Sequence, residues 1–217
     1  MLRKTYELNP AFWWGFIIYL LACGIGLLSI EQGDMVLYFS KTRTEFMNGL
    51  FAVFTRLGEA LVYVLFAVLF LWVAYRKSIG VLLLGVTVTL VSFITKAIFA
   101  HPRPLAYFRE LGMEAQLTFV PGVDVHTGAT SFPSGHTMSG FALYSFIAFI
   151  LGKKGGLGLV AVFFATMVGI SRVYLVQHFL KDIFLGAILG VLISVVMYYL
   201  INSWKREWLD KNLVVGS

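Results

Sequence analysis

Six apolar stretches, at about residues 11–30, 58–75, 79–100, 134–152, 157–176 and 182–201, restrict what this chain can fold into. A hydrocarbon core of about 30 Å needs roughly 20 apolar residues in helical form. Every one of the six approaches that length. The expected fold is therefore all-α: a polytopic membrane protein with six transmembrane helices. Composition agrees, since 59% of residues are hydrophobic and 13% charged, against about 45–50% and 25% in soluble domains. Connections at 76–78, 153–156 and 177–181 are short, whereas those at 31–57 and 101–133 are long.

Charge placement orients the bundle. Arg3/Lys4, Arg76/Lys77, Lys153/Lys154 and Lys205/Arg206 all fall on one side if the six helices alternate. Glu31, Asp34, Glu45, Glu110, Glu114 and Asp124 offset the bases in the long loops on the other side. Basic residues stay cytoplasmic, so both termini are expected there. Trp13, Trp14, Trp72, Trp204 and Trp208 sit at the same predicted ends, as interface anchors do. The net charge of +6 comes in these short pairs, without a basic arm or interleaved aromatics, so nucleic acid is not an expected partner. A single cysteine, Cys23, excludes an intramolecular disulfide. "LLAC" at 20–23 has the look of a lipoprotein cleavage site, but the apolar run continues through "GIGLLSI". An uncleaved first helix is expected.

Residues 31–57 are expected to form a partly helical external segment between the first two spans. Phe46, Leu50 and Phe54 recur at four-residue spacing. This pattern fits an amphipathic helix lying in the interface and gating lipid entry, and equally a connecting helix packed on the bundle. "GAILG" at 186–190 is a small-xxx-small pattern for close helix packing.

Alternation brings three distant polar clusters to one face. The third span ends near Lys96 and Arg103, the fourth begins with Ser134, Gly135 and His136, and Arg172, His178 and Asp182 flank the junction of the fifth and sixth. Lys96, Arg103 and Arg172 make a concentrated positive site, with arginine suited to bidentate contact with phosphate oxygens. "PSGH" opens a helix, whose free N–H groups and dipole favour an anion, and Gly135 permits close backbone approach. His178 and Asp182 share a helical face. An Asp that binds one ring nitrogen frees the other for attack, and His136 could then protonate the departing oxygen. An ordinary i, i+4 pair, or a metal site shared with His136, are the competing readings of His178. There is no acidic cluster, and three nearby cations would repel a divalent ion.

"KAIFAHPRP" fits Lys-x6-Arg-Pro, "PSGH" a second signature, and "SRVYLVQHFLKD" fits Ser-Arg-x5-His-x3-Asp. Together, in this order, they resemble the type 2 phosphatidic acid phosphatase (PAP2) superfamily, and the compact chain is similar to its bacterial phosphatidylglycerophosphatase B and undecaprenyl-pyrophosphate phosphatase members. The resemblance implies a single domain over 1–217 with a catalytic core at about 79–201. It implies a phosphohistidine on His178, with Asp182 raising its nucleophilicity and His136 as general acid. Lys96, Arg103, Ser134, Gly135 and Arg172 would hold the phosphoryl oxygens, with no metal and no cofactor. The implied substrate is a membrane lipid phosphate: undecaprenyl pyrophosphate, phosphatidylglycerol phosphate, or phosphatidic acid, hydrolysed at the outer face of the plasma or inner membrane. The resemblance leaves protein partners open. A phosphotransferase of the same superfamily, or an anion transporter, are the alternatives. Transport is disfavoured because the charges cluster at one face, with no polar series through the spans and no inverted repeat. His101 and His126 are expected to be spacer or surface residues, Glu59 to be interfacial, and Ser171 to cap its helix or touch phosphate.

Overall fold

The computed structural model describes residues 2–153 and 156–214, with the side chains of Leu2 and Arg3 outside the description. Lys154 and the Arg3 side chain, two members of the basic pairs, thus lie outside the described residues. Ten α-helices are present among the described residues: α1 (Leu2–Leu8), α2 (Pro10–Ser29), α3 (Asp34–Lys41), α4 (Glu45–Arg56), α5 (Ala60–Leu71), α6 (Tyr75–Phe99), α7 (Pro104–Glu110), α8 (Gly135–Leu151), α9 (Leu157–Tyr174) and α10 (Leu180–Ser203). Two 3-10 turns, Glu114–Gln116 and Glu207–Asp210, complete the fold, and no strand occurs among these residues.

Among the described residues, four helical stretches are long and apolar enough to cross a membrane: α2, Tyr75–Glu110 (which holds α6 and α7), α9 and α10. A fifth is added if α4 and α5, bent by 57° at their break, count as one. α8, with 17 residues, is shorter. Its burial explains this: Phe141, Ala142, Leu143, Phe146 and Phe149 are all at or below 1% exposed, so α8 is wrapped by protein along most of its length. A helix that is apolar all round belongs inside a bundle. The second expected span is also reduced, because residues 58–59 break the helix and α5 itself has 12 residues.

Local chemistry sets the helix ends. Asn9 caps α2 by accepting from Phe12 N at 3.1 Å, with Pro10 at the first helical position. Thr44 and Ser134 cap α4 and α8 through their hydroxyls. α6 starts at Tyr75, so the expected 76–78 connection is its first turn. Arg76 is tolerated there because it donates to Ile201 O at 2.6 Å and Trp204 O at 2.9 Å and pairs with Asp210 at 2.7 Å.

Hydrogen bonds and close contacts gather the helix ends into two groups. Asn9 donates to Ala148 O and Gly152 O, both at 3.0 Å, and a Cβ on Gly158 would lie 2.2 Å from its Oδ1. The starts of α2 and α9 and the end of α8 therefore meet. Tyr75 N donates to Lys211 O and Leu213 N to Leu71 O, joining the start of α6 and the end of α5 to the chain after α10. At the opposite end, Tyr19 OH donates to Ile183 O at 3.2 Å, and Ser134 N donates to Asp182 O at 3.0 Å.

Two apolar clusters share α8 and α10. One joins them to α2 and α9 through Phe12, Phe16, Phe141 and Val191, the other to α5 and α6 through Tyr63, Leu84, Met138 and Met197. α10 lies so close to α8 that a Cβ on Gly190 would sit 2.4 Å from Met138 O, and one on Gly186 2.7 Å from Ser134 O. "GAILG" is thus a packing stripe, and it sets the distance between the two helices that begin at the polar end.

The 31–57 segment forms α3 and α4, and α4 lies along α9. Phe51 faces inward onto the Tyr174 ring at 4.4 Å, whereas Phe46 is 77% exposed. Between the two readings of this segment, the structure has a helix packed on the bundle with an apolar outer edge.

Candidate active site

α9 stops at Tyr174, and the chain reverses through Leu175–Phe179 before α10 begins. Val176 takes a positive φ of 59° there. A β-branched residue in the left-handed region costs on the order of 1–3 kcal/mol. Complete burial of its side chain and hydrogen bonds from Gln177 N and His178 N to Arg172 O hold the turn. His178 is thereby folded back beneath the end of α9 and is 1% exposed.

His178 Nδ1 lies 3.2 Å from Asp182 Oδ2, and that oxygen also accepts from Phe179 N at 2.9 Å and from the Ser131 hydroxyl. Because a carboxylate accepts, the proton is assigned to Nδ1, leaving the lone pair on Nε2. Burial, reinforced by the charges of Arg172 and Arg103 and opposed by Asp182, lowers the His178 pKa to about 4. The imidazole is neutral at physiological pH and held by Asp182 through Nδ1.

Around it stand the cations. Arg103 follows the left-handed residue Ala100 that ends α6 and precedes Pro104 at the start of α7. Its guanidinium donates to Gln177 Oε1 at 2.9 Å and to Thr130 Oγ1 at 3.3 Å. Arg172, in the last turn of α9, donates to Thr55 Oγ1 at 2.6 Å, and its Nε is buried without a partner. Both arginines are 7% exposed, and neither is within ion-pair distance of a carboxylate among the described residues. Lys96 comes from the last turn of α6, its Nζ 3.5 Å from where a Cβ on Gly135 would lie. That Cβ would also fall 2.7 Å from Ser92 Oγ, so glycine lets α8 start against α6.

His136, the second residue of α8, is within electrostatic reach of His178, Arg172, Lys96 and Arg103. It lines, with Lys96, Gly135 and Glu59, the polar end of a cleft of about 730 Å³. The rest of the cleft is apolar and runs between α5 and α6 past Tyr63, Val86 and Leu90 to Leu82.

Of the residues singled out from the sequence, His136, His178, Asp182, Lys96, Arg103, Gly135 and Arg172 come together. Ser134 is at the same place, but its hydroxyl is fully buried and engaged with Thr137 Oγ1 at 2.9 Å as the cap of α8. Ser171 donates within its own helix to Val168 O at 2.6 Å, neither a cap at the helix end nor a group facing the pocket. His101 is exposed and packs edge-on against Phe132, and His126 is exposed. Glu59 lines the cleft and interacts electrostatically with Arg172, a closer relation to the site than an interfacial position suggests. Ser131, Gln177, Thr55 and Thr130 were not anticipated. Gln177 had one signal, its position immediately before His178.

The fold and this pocket define an integral membrane protein of helical-bundle type with a buried, positively charged site at one end. A family profile described as PAP2 superfamily matches residues 75–206, more than half of the chain, and the chain belongs to that superfamily. Phosphatidylglycerophosphatase B of Bacillus subtilis is 36% identical over 91 residues, covering 38% of this chain and 43% of that protein. The chain spans less than half the length of the curated relatives it first matches. The crystal structure of a B. subtilis PAP2-type phosphatidylglycerolphosphate phosphatase aligns with a TM-score of 0.62 at 24% identity, over 93% of this chain and 99% of that one. Aquifex aeolicus LpxE aligns with a TM-score of 0.64 at 21% identity, over 76% and 93%. At these identities the two structures share the fold.

Proposed function

We propose that this protein is a metal-independent lipid phosphate phosphatase. The observation that carries this reading is the buried His178–Asp182 pair beside two guanidiniums with no carboxylate at ion-pair distance among the described residues. Nε2 of His178 attacks phosphorus, the bond to the leaving oxygen breaks, and His136 gives that oxygen its proton. Water then attacks the phosphohistidine, His136 takes a proton from it, and the N–P bond breaks to release phosphate and neutral His178. Arg103, Arg172 and Lys96, with the first N–H groups of α8 beside Gly135, bear the charge on the equatorial oxygens, a role that fixed donors fill without reorganisation.

The apolar cleft between α5 and α6 supports a lipid substrate, since a chain lying in it would bring its headgroup to His136 and Lys96. The resemblance to phosphatidylglycerophosphatase B favours phosphatidylglycerol phosphate, with undecaprenyl pyrophosphate and phosphatidic acid as further candidates. We place six spans in the plasma or inner membrane, counting α4–α5 as one and α8 as another. Both termini are then cytoplasmic and the site extracytoplasmic, in one domain whose catalytic core is about 79–201. Ser134 contributes by capping α8.

Purified protein in detergent, given phosphatidylglycerol phosphate and excess EDTA, is expected to release inorganic phosphate, and His178→Ala none. EDTA-sensitive release would overturn the metal-independent reading. Release only on adding an alcohol acceptor would assign a phosphotransferase instead.

A further inference from the structure

Both arginines of the site are aimed by neutral acceptors: Gln177 for Arg103 and Thr55 for Arg172. A neutral acceptor fixes the direction of a guanidinium without cancelling its charge, which a carboxylate would do. Thr55 is 117 residues from Arg172 and lies in the last turn of α4, outside every sequence signature. Its hydroxyl takes one N–H of Arg172, and the buried Nε remains unpartnered. Arginine has five N–H donors in a rigid fork, so holding one fixes where the others point.

α4 is itself braced. Tyr174 OH donates to Asn48 Oδ1 at 2.7 Å, the Tyr174 ring packs on Phe51, and Arg43 lies over the same ring at 4.5 Å. The hydroxyl that meets Arg172 therefore sits on an element locked to the end of α9. Glu59, at the cleft, is a carboxylate that interacts electrostatically with Arg172.

We infer that Thr55 is a positioning residue that aims Arg172 at the transferred phosphoryl group. This rests on the phosphatase reading of the site. Thr55→Val removes the acceptor and keeps the branched shape. The inhibition constant for inorganic orthovanadate and the KM for lipid phosphate are expected to rise about tenfold or more, the loss of one charge-assisted hydrogen bond. Thr55→Ser restores both, and in an Arg172→Lys background Thr55→Val adds nothing further. Should Thr55→Val fail to fold, Thr55→Ala carries the same expectation. Vanadate inhibition unchanged within twofold in a folded Thr55 variant, or no rescue by serine, overturns the role of Thr55. Vanadate inhibition unchanged in Arg172→Ala overturns the phosphate site itself, a separable failure.

Discussion

Replacing Asp182 by Asn keeps the shape of the side chain and one acceptor oxygen, yet removes the charge that orients His178. In the native protein a single oxygen, Oδ2, serves His178 Nδ1, Phe179 N and the Ser131 hydroxyl, with the carboxylate fully buried. An amide oxygen can still accept from Phe179 N and cap α10, so the fold is expected to survive. It holds the imidazole less firmly, and its NH2 end competes for a ring nitrogen and favours the wrong tautomer. Losing a hydrogen bond between the neutral ring and a charged acceptor costs roughly 1.5–3 kcal/mol. At about 1.4 kcal/mol per decade, this is a loss of ~10–10² in rate, deepened by the wrong tautomer. Phosphate release from a lipid phosphate in detergent, at saturating substrate, measures it, with thermal unfolding of the same sample as the check on folding. A folded Asp182→Asn protein within threefold of wild-type turnover would refute the orienting role.

Burial disfavours the cation of His178, so its proton leaves at about pH 4 rather than near 6.5. Nitrogen-15 histidine NMR should find this ring neutral at pH 5.5, and a transition near 6.5 would contradict the buried placement. Gly190→Ala would put a Cβ 2.4 Å from Met138 O, a backbone atom that cannot rotate away. It should lower stability by about 1–3 kcal/mol, seen as an earlier thermal transition. Gly49→Ala in α4 meets nothing within 4 Å and should be neutral or stabilising by up to ~1 kcal/mol; equal effects of the two would refute the close α8–α10 packing.

The polar end of the bundle was legible in the sequence because its parts carry charge. Lys96, Arg103, Arg172, His178 and Asp182 stand out in apolar surroundings, and alternation of the basic pairs places them at one end before any contact is known. What lay out of reach was the layer that holds them. Thr55, Ser131 and Gln177 are small or neutral, and their partners are 117, 51 and 74 residues away, separations at which no helical period operates. Segment lengths were legible only in part. Hydropathy does not register that α8 is sheathed by protein, nor that the second apolar stretch forms only the 12 residues of α5, bent by 57° from α4 before it. Nor does the local pattern around Arg76 report that Asp210, 134 residues on, satisfies it and lets α6 begin at Tyr75.

The central claim is covalent chemistry at His178, and trapping the intermediate tests it most directly. Lipid phosphate labelled with phosphorus-32 in the terminal group, mixed with enzyme and quenched in alkali within a single turnover, should leave label on the protein. That label should be stable to base, lost in acid, and mapped to His178 by mass spectrometry. Unlabelled protein while phosphate is being released, or label that persists in a His178→Gln variant, would contradict it.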